Sequence, residues 1–178
     1  MVNEMLDITK IEKGDLEMTI EPLNVKEILD SVTGDLDTYS KRHEFTISLA
    51  GVDSAISIQG DKVRVRQVFQ NLIDNAIKYS AHPGVLDVST KINGATVEVS
   101  FKDNGIGVPK NEQSKLFGRF YRASNTAKTA SSGSGLGLYI VKSIAKQLGG
   151  DIRFESTEGK GTTFFVTLPM EDDTNKKT

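Results

Sequence analysis

A chain of 178 residues, 37 % apolar and 26 % charged, has the composition of one globular domain and not of a disordered segment. The formal net charge of −2 argues against nucleic acid as a partner, because nucleic-acid binding needs a basic surface. The lack of cysteine excludes disulfides and thiolate metal sites. With no long apolar run and no signal peptide, the expected location is cytoplasmic, whether or not a parent protein is membrane-anchored.

The first quarter of the sequence predicts two helices with a strand between them. Residues 1–13 carry an apolar stripe at helical spacing and end at Gly14, a plausible C-cap. That stripe packs either on a partner helix or on its own domain. The alternation of Leu16–Ile20 predicts a short strand. Asn24 is predicted to cap a helix that runs to about Arg42.

Two short strands, 45–49 and 55–58, lead to the helix around which the sequence is organised. Asp61 is its predicted N-cap, and apolar residues recur with the i, i+3, i+4, i+7 spacing through the helix to about residue 80. The opposite face carries three polar side chains within about 60° of one another: Asn71, Asn75 and Lys78. Because asparagine is a poor helix former, this face is either an incidental surface or a functional one.

The second half of the sequence predicts two hairpins, a long loop and one more helix. Asn93-Gly94 is a strong hairpin signal between two alternating segments. Residues 103–134 have no sustained periodicity apart from a helix-like piece near 113–121, and 126–134 read as a flexible loop or lid. The remaining predicted elements, in chain order, are strands 85–92 and 95–102, helix 136–148, and strands 151–155 and 162–168 around a turn at 158–161. The pattern predicts an α+β fold, a two-layer α/β sandwich with a mostly antiparallel sheet and about three helices on one face.

Two glycine clusters, 103–109 and 133–138, could bring backbone N–H groups against phosphates. The second leads straight into a predicted helix, whose N-terminus favours anions. It fails the dinucleotide-binding fingerprint, because Leu138 stands at the third glycine position. A P-loop also fails, because Lys160 is followed by Gly161 where serine or threonine is needed. Taken singly, each cluster is either a turn or a nucleotide site.

Taken together and in order, five motifs closely resemble the ATP-binding domain of sensor histidine kinases. They are Asn-x-x-x-Asn-Ala-x-Lys-Tyr, Asp-Asn-Gly-x-Gly, Leu-Phe-x-Arg-Phe-Tyr-Arg, Gly-x-Gly-Leu-Gly-Leu and Gly-x-Gly-Thr-x-Phe. This domain belongs to the superfamily shared with gyrase, mismatch-repair and heat-shock chaperone ATPases, and the resemblance covers about 16–169. It implies a Bergerat-type ATP-binding fold and divides the chain into three parts. Residues 1–14 would be the end of the second helix of a dimerisation and phosphoacceptor domain, 15–170 the catalytic domain, and 171–178 a disordered tail.

The resemblance implies ATP and Mg²⁺ as cofactors and gives each motif a role. Asn75 would ligate Mg²⁺ through its side-chain oxygen, and Asn71 and Lys78 would contact the phosphates as the catalytic residues. Asp103 would accept the adenine amino group. The positions implied around the base are Tyr79, Gly105, Ile106, Gly107 and Thr162, with Val108 as a further apolar contact. In the lid, the implied positions are Phe120, Arg122, Gly133, Gly135, Leu136, Gly137 and Leu138, with Phe117 and Tyr121 as further packing aromatics and Arg119 as the alternative phosphate cation. Arg64 is expected to form a structural salt bridge.

One residue separates a kinase from an ATPase in this comparison. The hydrolysing relatives carry glutamate as general base at the position of Asn71, and an amide cannot accept that proton. The implied function is transfer of the γ-phosphoryl of ATP to a histidine on a separate dimerisation domain, for relay to a response regulator. The alternatives are a stand-alone ATPase of the superfamily and a non-catalytic nucleotide-binding module.

The phosphoacceptor is expected to lie outside this sequence. His43-Glu44 echoes the histidine-acid pair of the family, but it starts a predicted strand and lacks the residues that follow in the family. His82 lies in a predicted Pro-Gly turn. Without a phosphoacceptor, the fragment is expected to be unable to phosphorylate itself. With only the end of one dimerisation helix, it is also expected to be monomeric, whereas the parent kinase would be a homodimer.

Overall fold

The computed structural model describes residues 5, 8–10, 16–42, 44–80, 83–128 and 133–171. Met5 and residues 8–10 are helical, and the rest of the predicted helix 1–13 lies outside the described residues, as do His43, His82 and 172–178. The described helices of seven or more residues are α1 (Val25–Arg42), α2 (Lys62–Lys78) and α3 (Gly137–Gln147). The strands are β1 (Glu21–Asn24), β2 (Phe45–Gly51), β3 (Ser57–Gly60), β4 (Gly84–Asn93), β5 (Thr96–Asp103), β6 (Asp151–Thr157) and β7 (Gly161–Pro169).

Five strands form one mixed sheet in the order β2-β4-β5-β7-β6. Every pair in it is antiparallel except β2 with β4, and β1 pairs with β3 in a separate two-stranded sheet. The predicted hairpins around Asn93-Gly94 and 158–161 are both confirmed. The two strands predicted at 45–49 and 55–58 thus belong to different sheets, although they are neighbours in the sequence.

The strand predicted at Leu16–Ile20 is wrong, since the chain there pairs with no other strand. Leu16 is buried in the core, which accounts for the alternation that prompted the prediction. The backbone N–H of Thr19 donates to the Asp61 carboxylate at 2.8 Å, so a side chain takes the place of a neighbouring strand. The helix-like piece near 113–121 is also shorter than predicted, a 3-10 turn over Gln113–Lys115.

Side-chain caps start α1 and α2 where the sequence predicts them. The Asn24 side chain accepts the N–H of Glu27 at 3.0 Å, and the Asp61 side chain accepts that of Arg64 at 2.9 Å. Arg64 itself donates to the Gln67 side chain at 2.9 Å.

The helices cover one face of the five-stranded sheet, as an α+β sandwich requires. α2 lies between α1 and α3 and packs on β5, where the rings of Phe69 and Phe101 are 5.6 Å apart. The inward side chains in the middle of β4 and β5 are buried, namely Leu86, Val88, Val97, Val99 and Phe101. The residues that alternate with them, between Leu86 and Val88 and between Val97 and Phe101, are polar. None of the helices among the described residues is long and apolar enough to cross a membrane. The arrangement places the polar face of α2 opposite the end of β5 and the start of α3.

Candidate nucleotide site

A cavity of about 610 Å³ opens between α2, the end of β5 and the loop before α3. Four α2 side chains line it: Asn71, Asp74, Asn75 and Lys78. They point there because the opposite side of α2 is buried in the core through its apolar residues. We call these four side chains the helix end of the cavity.

Asn71 has a fixed amide orientation. Its Nδ2 donates to the backbone oxygen of Gln67 at 2.9 Å, so its Oδ1 is turned away from the helix axis. A Cβ built on Gly137 would lie 3.0 Å from that oxygen, which places the start of α3 against Asn71. The polar face of α2 and the N-terminus of α3 therefore meet at this wall.

Lys78 reaches the loop on the opposite wall. Its ammonium lies 5.8 Å from the ring centroid of Tyr79, and a Cβ on Gly133 would be only 2.8 Å from Nζ. Glycine at 133 therefore leaves room for the lysine head group. Asp74 stands one helical turn before Lys78; burial raises the pKa of the Asp74 carboxyl, and the positive charge of Lys78 opposes that rise.

Asp103 ends β5 at the other side of the cavity and is held by main-chain donors. Its Oδ1 accepts the N–H of Gly105 at 2.8 Å and that of Thr162 at 3.0 Å. Burial raises the pKa of the Asp103 carboxyl, and these two hydrogen bonds lower it in part. Because both bonds from the described chain end at Oδ1, Oδ2 is left for a ligand. The strand end of the cavity is defined here by Asp103, Ile106, Gly107 and Thr162.

The loop after Asp103 follows a path that needs glycine at two positions. A Cβ on Gly105 would lie 2.4 Å from the backbone oxygen of Tyr79, where the N–H of Ile106 donates at 2.9 Å. Gly107 has a φ of +64°, and a Cβ there would lie 2.2 Å from the backbone oxygen of Thr157. The loop is thereby fixed against both α2 and β6.

The segment between this loop and α3 is tied down by Glu112. Its carboxylate accepts the Tyr121 hydroxyl at 2.6 Å, the Ser124 N–H at 2.9 Å and the Ser124 hydroxyl at 2.5 Å. These bonds, those of Ser124 foremost, lower the pKa of the Glu112 carboxyl. Asn125 adds a second tie, because its Nδ2 donates to the backbone oxygen of Gly107 at 3.0 Å.

Arg122 connects the same segment to the end of α2. Burial raises the pKa of the Tyr79 hydroxyl, and the charge and hydrogen bond of Arg122 oppose the rise. Both side chains line the cavity. Arg119, the other candidate phosphate cation, stacks on the ring of Tyr139 at 4.8 Å and lies outside the cavity lining.

The cavity brings together most of the residues predicted from the sequence. Those that line it are Asn71, Asn75, Lys78, Tyr79, Asp103, Ile106, Gly107, Val108, Arg122, Gly133, Gly135, Gly137, Leu138 and Thr162. Besides Arg119, three predicted residues do not line it. Gly105 shapes the turn beneath it, Leu136 is buried in the core, and Phe120 is 62 % exposed. Phe120 has a φ of 58°, and its backbone lies against Gly135, so its main chain and not its ring touches the site.

The sequence reasoning missed other lining residues. They are Asp74, Leu116, Tyr121, Ala123, Thr126, Ser134 and Phe164, of which Tyr121 was expected only to pack. Helical spacing could have found Asp74, three residues after Asn71 and four before Lys78. The others lie in loops or on a distant strand, where no local period indicates a cavity.

The comparison with protein families agrees with this geometry. Residues 60–172, more than half of the chain, match the family described as histidine kinase-, DNA gyrase B- and HSP90-like ATPase. The chain belongs to this ATPase family. The members of the family to which it is similar are sensor histidine kinases. In those proteins this domain is the ATP-binding catalytic domain. The resemblance seen in the five motifs is thereby confirmed.

Sensor histidine kinase WalK of Bacillus subtilis (strain 168) is 35 % identical over 176 residues, which cover 97 % of this chain and 28 % of WalK. This histidine kinase-like ATPase domain therefore spans only about a quarter of that relative.

Among solved structures, full-length ShkA in complex with AMPPNP is similar at a TM-score of 0.81 and 25 % identity, covering 95 % of this chain and 35 % of ShkA. The nucleotide-free catalytic domain of histidine kinase ThkA is similar at a TM-score of 0.74 and 25 % identity, covering 85 % of this chain and 96 % of that domain. A complex of ThkA with the response regulator protein TrrA shares the fold at a TM-score of 0.74 and 20 % identity, covering 96 % of this chain and 48 % of that one.

Proposed function

We propose that this domain transfers the γ-phosphoryl of ATP to a histidine on a separate dimerisation domain of its parent kinase, for relay to a response regulator. The observation that carries the proposal is the meeting of Asn71, Asn75 and Lys78 with Asp103 and the glycine loop around one cavity. The AMPPNP complex of ShkA and the response-regulator complex of ThkA support a nucleotide and a regulator as the partners.

The amide at Asn71 supports transfer over hydrolysis. Its Nδ2 is already engaged by Gln67, and its oxygen accepts hydrogen bonds but takes no proton at neutral pH. Water in the cavity thus lacks the base that an ATPase would place at this position. Catalysis then rests on the positioning and charge stabilisation that dominate phosphoryl transfer.

Asp103 would recognise the adenine. Its Oδ2 is a buried, rigidly held acceptor for the exocyclic amino group, and the backbone of Gly105 and Thr162 fixes its rotation. Ile106 and Gly107 would pack against the base, and Tyr79 against the base or ribose. Lys78 and Arg122 would balance phosphate charge as the loop from Gly133 to Gly137 closes on it.

The donor set fits Mg²⁺ better than a transition metal. Asn71 and Asn75 present amide groups to the cavity and Asp74 a carboxylate, while the described residues hold no cluster of three or more His, Cys, Asp or Glu. Mg²⁺ prefers oxygen donors and binds through few side chains together with substrate phosphates. Asn75 would hold it through Oδ1, and the ion would neutralise charge on the transferring phosphoryl group.

The domain boundaries form part of the proposal. Residues 1–14 would end the second helix of the dimerisation domain, which the helical Met5 and the buried Ile8 support. Residues 15–170 would be the catalytic domain, and 171–178 a tail. The parent kinase would be a homodimer, with this fragment monomeric alone and either soluble or attached to a membrane through other parts of its parent.

The test mixes this chain with a separately produced dimerisation domain that carries a phosphoacceptor histidine. With γ-labelled ATP and Mg²⁺, acid-labile phosphate is expected on the dimerisation domain and not on the chain alone. Steady-state phosphate release should stay low. Rapid release without transfer would instead indicate an ATPase, and nucleotide binding without either reaction would indicate a regulatory module.

A matched pair of variants ties the activity to the cavity. Asn75→Ala should abolish most of the transfer, because it removes the proposed metal ligand. Asn111→Ala should leave it unchanged, because Asn111 is exposed and lies outside the cavity lining. Equal effects of the two changes would contradict the assignment.

A further inference from the structure

Asp74 is a carboxylate in the cavity that the motifs assign to no role. It lines the wall between Asn71 and Asn75, and helical geometry places it within about 100° of arc of Asn71, Asn75 and Lys78. It is partly buried, and no described group donates a hydrogen bond to it. The charge of Lys78, one helical turn later, acts on this carboxylate, but the described residues give it no hydrogen bond.

The position of Asp74 along α2 puts it opposite the glycine loop. Asn71 lies against Gly137 and Lys78 against Gly133, so the two residues bracket Asp74 along the helix axis. This is the stretch of the cavity where the loop and the N-terminus of α3 would hold phosphates. Asp74 therefore faces the most negatively charged part of a bound nucleotide.

The fixed charges of the cavity do not offset a bare triphosphate. Among its described lining residues, Asp74 and Asp103 are anionic and Lys78 and Arg122 are cationic, so the formal charges cancel. Metal-free ATP would add several negative charges beside Asp74, whereas its complex with a divalent cation brings positive charge to the same place. Charge repulsion in a partly desolvated cavity is much stronger than in water.

We infer that Asp74 makes nucleotide binding depend on a divalent cation, by repelling metal-free ATP and favouring the metal-bound form. The inference rests on the proposed nucleotide site and gives it a selectivity residue. Asp74 stabilises the cation complex through its charge, acting on the ion or its water shell while Asn75 serves as ligand. Binding linkage is reciprocal. Because Asp74 strengthens metal binding when nucleotide is bound, it also strengthens nucleotide binding when metal is bound.

The experiment is calorimetric titration of the whole chain with AMPPNP, once with EDTA and once with excess Mg²⁺. Asp74→Asn keeps the side-chain shape and removes the charge. This variant should bind metal-free AMPPNP about tenfold more tightly than the wild type does. The factor by which Mg²⁺ increases AMPPNP affinity should be at least about tenfold smaller in the variant. Asp87→Asn is the matched control, because it removes one charge from an exposed position of β4 and should change neither affinity.

The outcomes separate this inference from the proposed function. If the wild type binds AMPPNP under neither condition, the proposed function fails. If the wild type binds and Asp74→Asn shows the same Mg²⁺ enhancement, the function stands and this inference is overturned. A rise in affinity that is equal with and without Mg²⁺ also overturns it, because that result means that Asp74 only competes with phosphate for Lys78.

A second variant keeps the test decisive if the first one does not fold. Thermal unfolding of Asp74→Asn should be close to that of the wild type. If that variant does not fold, Asp74→Ser gives the same charge change in a smaller side chain, and the same two titrations decide the question.

Discussion

The strand end of the cavity is shaped by main-chain groups, whereas the helix end is formed by side chains of a single helix. At the strand end, backbone N–H groups hold Asp103 and backbone contacts fix the turn at Gly107. At the helix end, Asn71, Asp74, Asn75 and Lys78 project from α2 toward a glycine loop. In the proposed nucleotide site, the base would thus be recognised by a preformed surface, while the phosphates would be bound by side chains that can respond to charge.

The largest expected effect on nucleotide affinity comes from Asp103→Asn at the strand end. Since Oδ1 accepts two N–H groups, the asparagine oxygen must stay there, and its NH₂ group takes the position of Oδ2. A donor would then face the adenine amino group, and ADP binding should weaken by about 1.5–3 kcal/mol. Calorimetry with ADP measures it, with Asp87→Asn as control. Unchanged affinity would show that Asp103 does not contact the base.

The next prediction compares two glycine substitutions, one with a steric clash in addition to backbone strain and one with backbone strain alone. Gly107 and Gly94 have φ values of +64° and +62°, but a Cβ would lie 2.2 Å from the Thr157 oxygen at the first and meet nothing within 4 Å at the second. Alanine at either position carries the cost of a left-handed conformation, about 1–2 kcal/mol. Gly107→Ala should cost about 1–3 kcal/mol more, measured by urea unfolding. Equal losses would mean that the strand end is not rigid.

A pH series sharpens the same comparison. Because burial raises the pKa of Asp103 in the folded state above 3.8, its ionisation opposes folding. The stability that the protonated group contributes is complete below pH 3.8 and is lost as the pH rises through the higher folded-state pKa. Asp103→Asn should therefore gain stability relative to the wild type across that window, although it loses nucleotide affinity. Urea midpoints measured at each pH test this, and a constant difference between the two proteins would contradict it.

The smallest effect is expected in the segment between the two ends. Glu112→Gln weakens the acceptor of the Ser124 and Tyr121 hydrogen bonds, and of these three residues only Tyr121 lines the cavity. The Ser124 amide should exchange its hydrogen faster, while ADP affinity changes less than in Asp103→Asn. Glu17→Gln, at an exposed position, is the control for charge. Unaltered exchange at Ser124 would show that Glu112 does not tie down this segment.

Local chemistry made much of the fold predictable. Asn24 and Asp61 indicate helix starts because their side chains replace missing backbone acceptors, and Asn93-Gly94 indicates a hairpin because it suits that turn. The pairing of β1 with β3 and the parallel pairing of β2 with β4 could not be predicted, since both depend on contacts between distant segments. Pro22 also made β1 hard to predict, because proline argues against a strand in all but edge positions.

The site was predictable where a motif combined with a helical period and unpredictable elsewhere. Asn71, Asn75 and Lys78 share one face of α2 as their spacing requires. Phe120 was expected at the nucleotide, but its left-handed backbone turns the ring outward. The tie between Glu112 and Ser124 has no signal in the sequence, because it joins two irregular segments.

The central position of β5 in the sheet has a consequence for ligand release. It is the middle strand of the five, with its inward side chains Val97, Val99 and Phe101 fully covered, and Asp103 is its last residue. Amides of a central strand exchange with solvent mainly when the whole domain unfolds, whereas loops open by small local fluctuations. The contact to the base would thus persist through every local opening, and release would have to begin at the glycine loop.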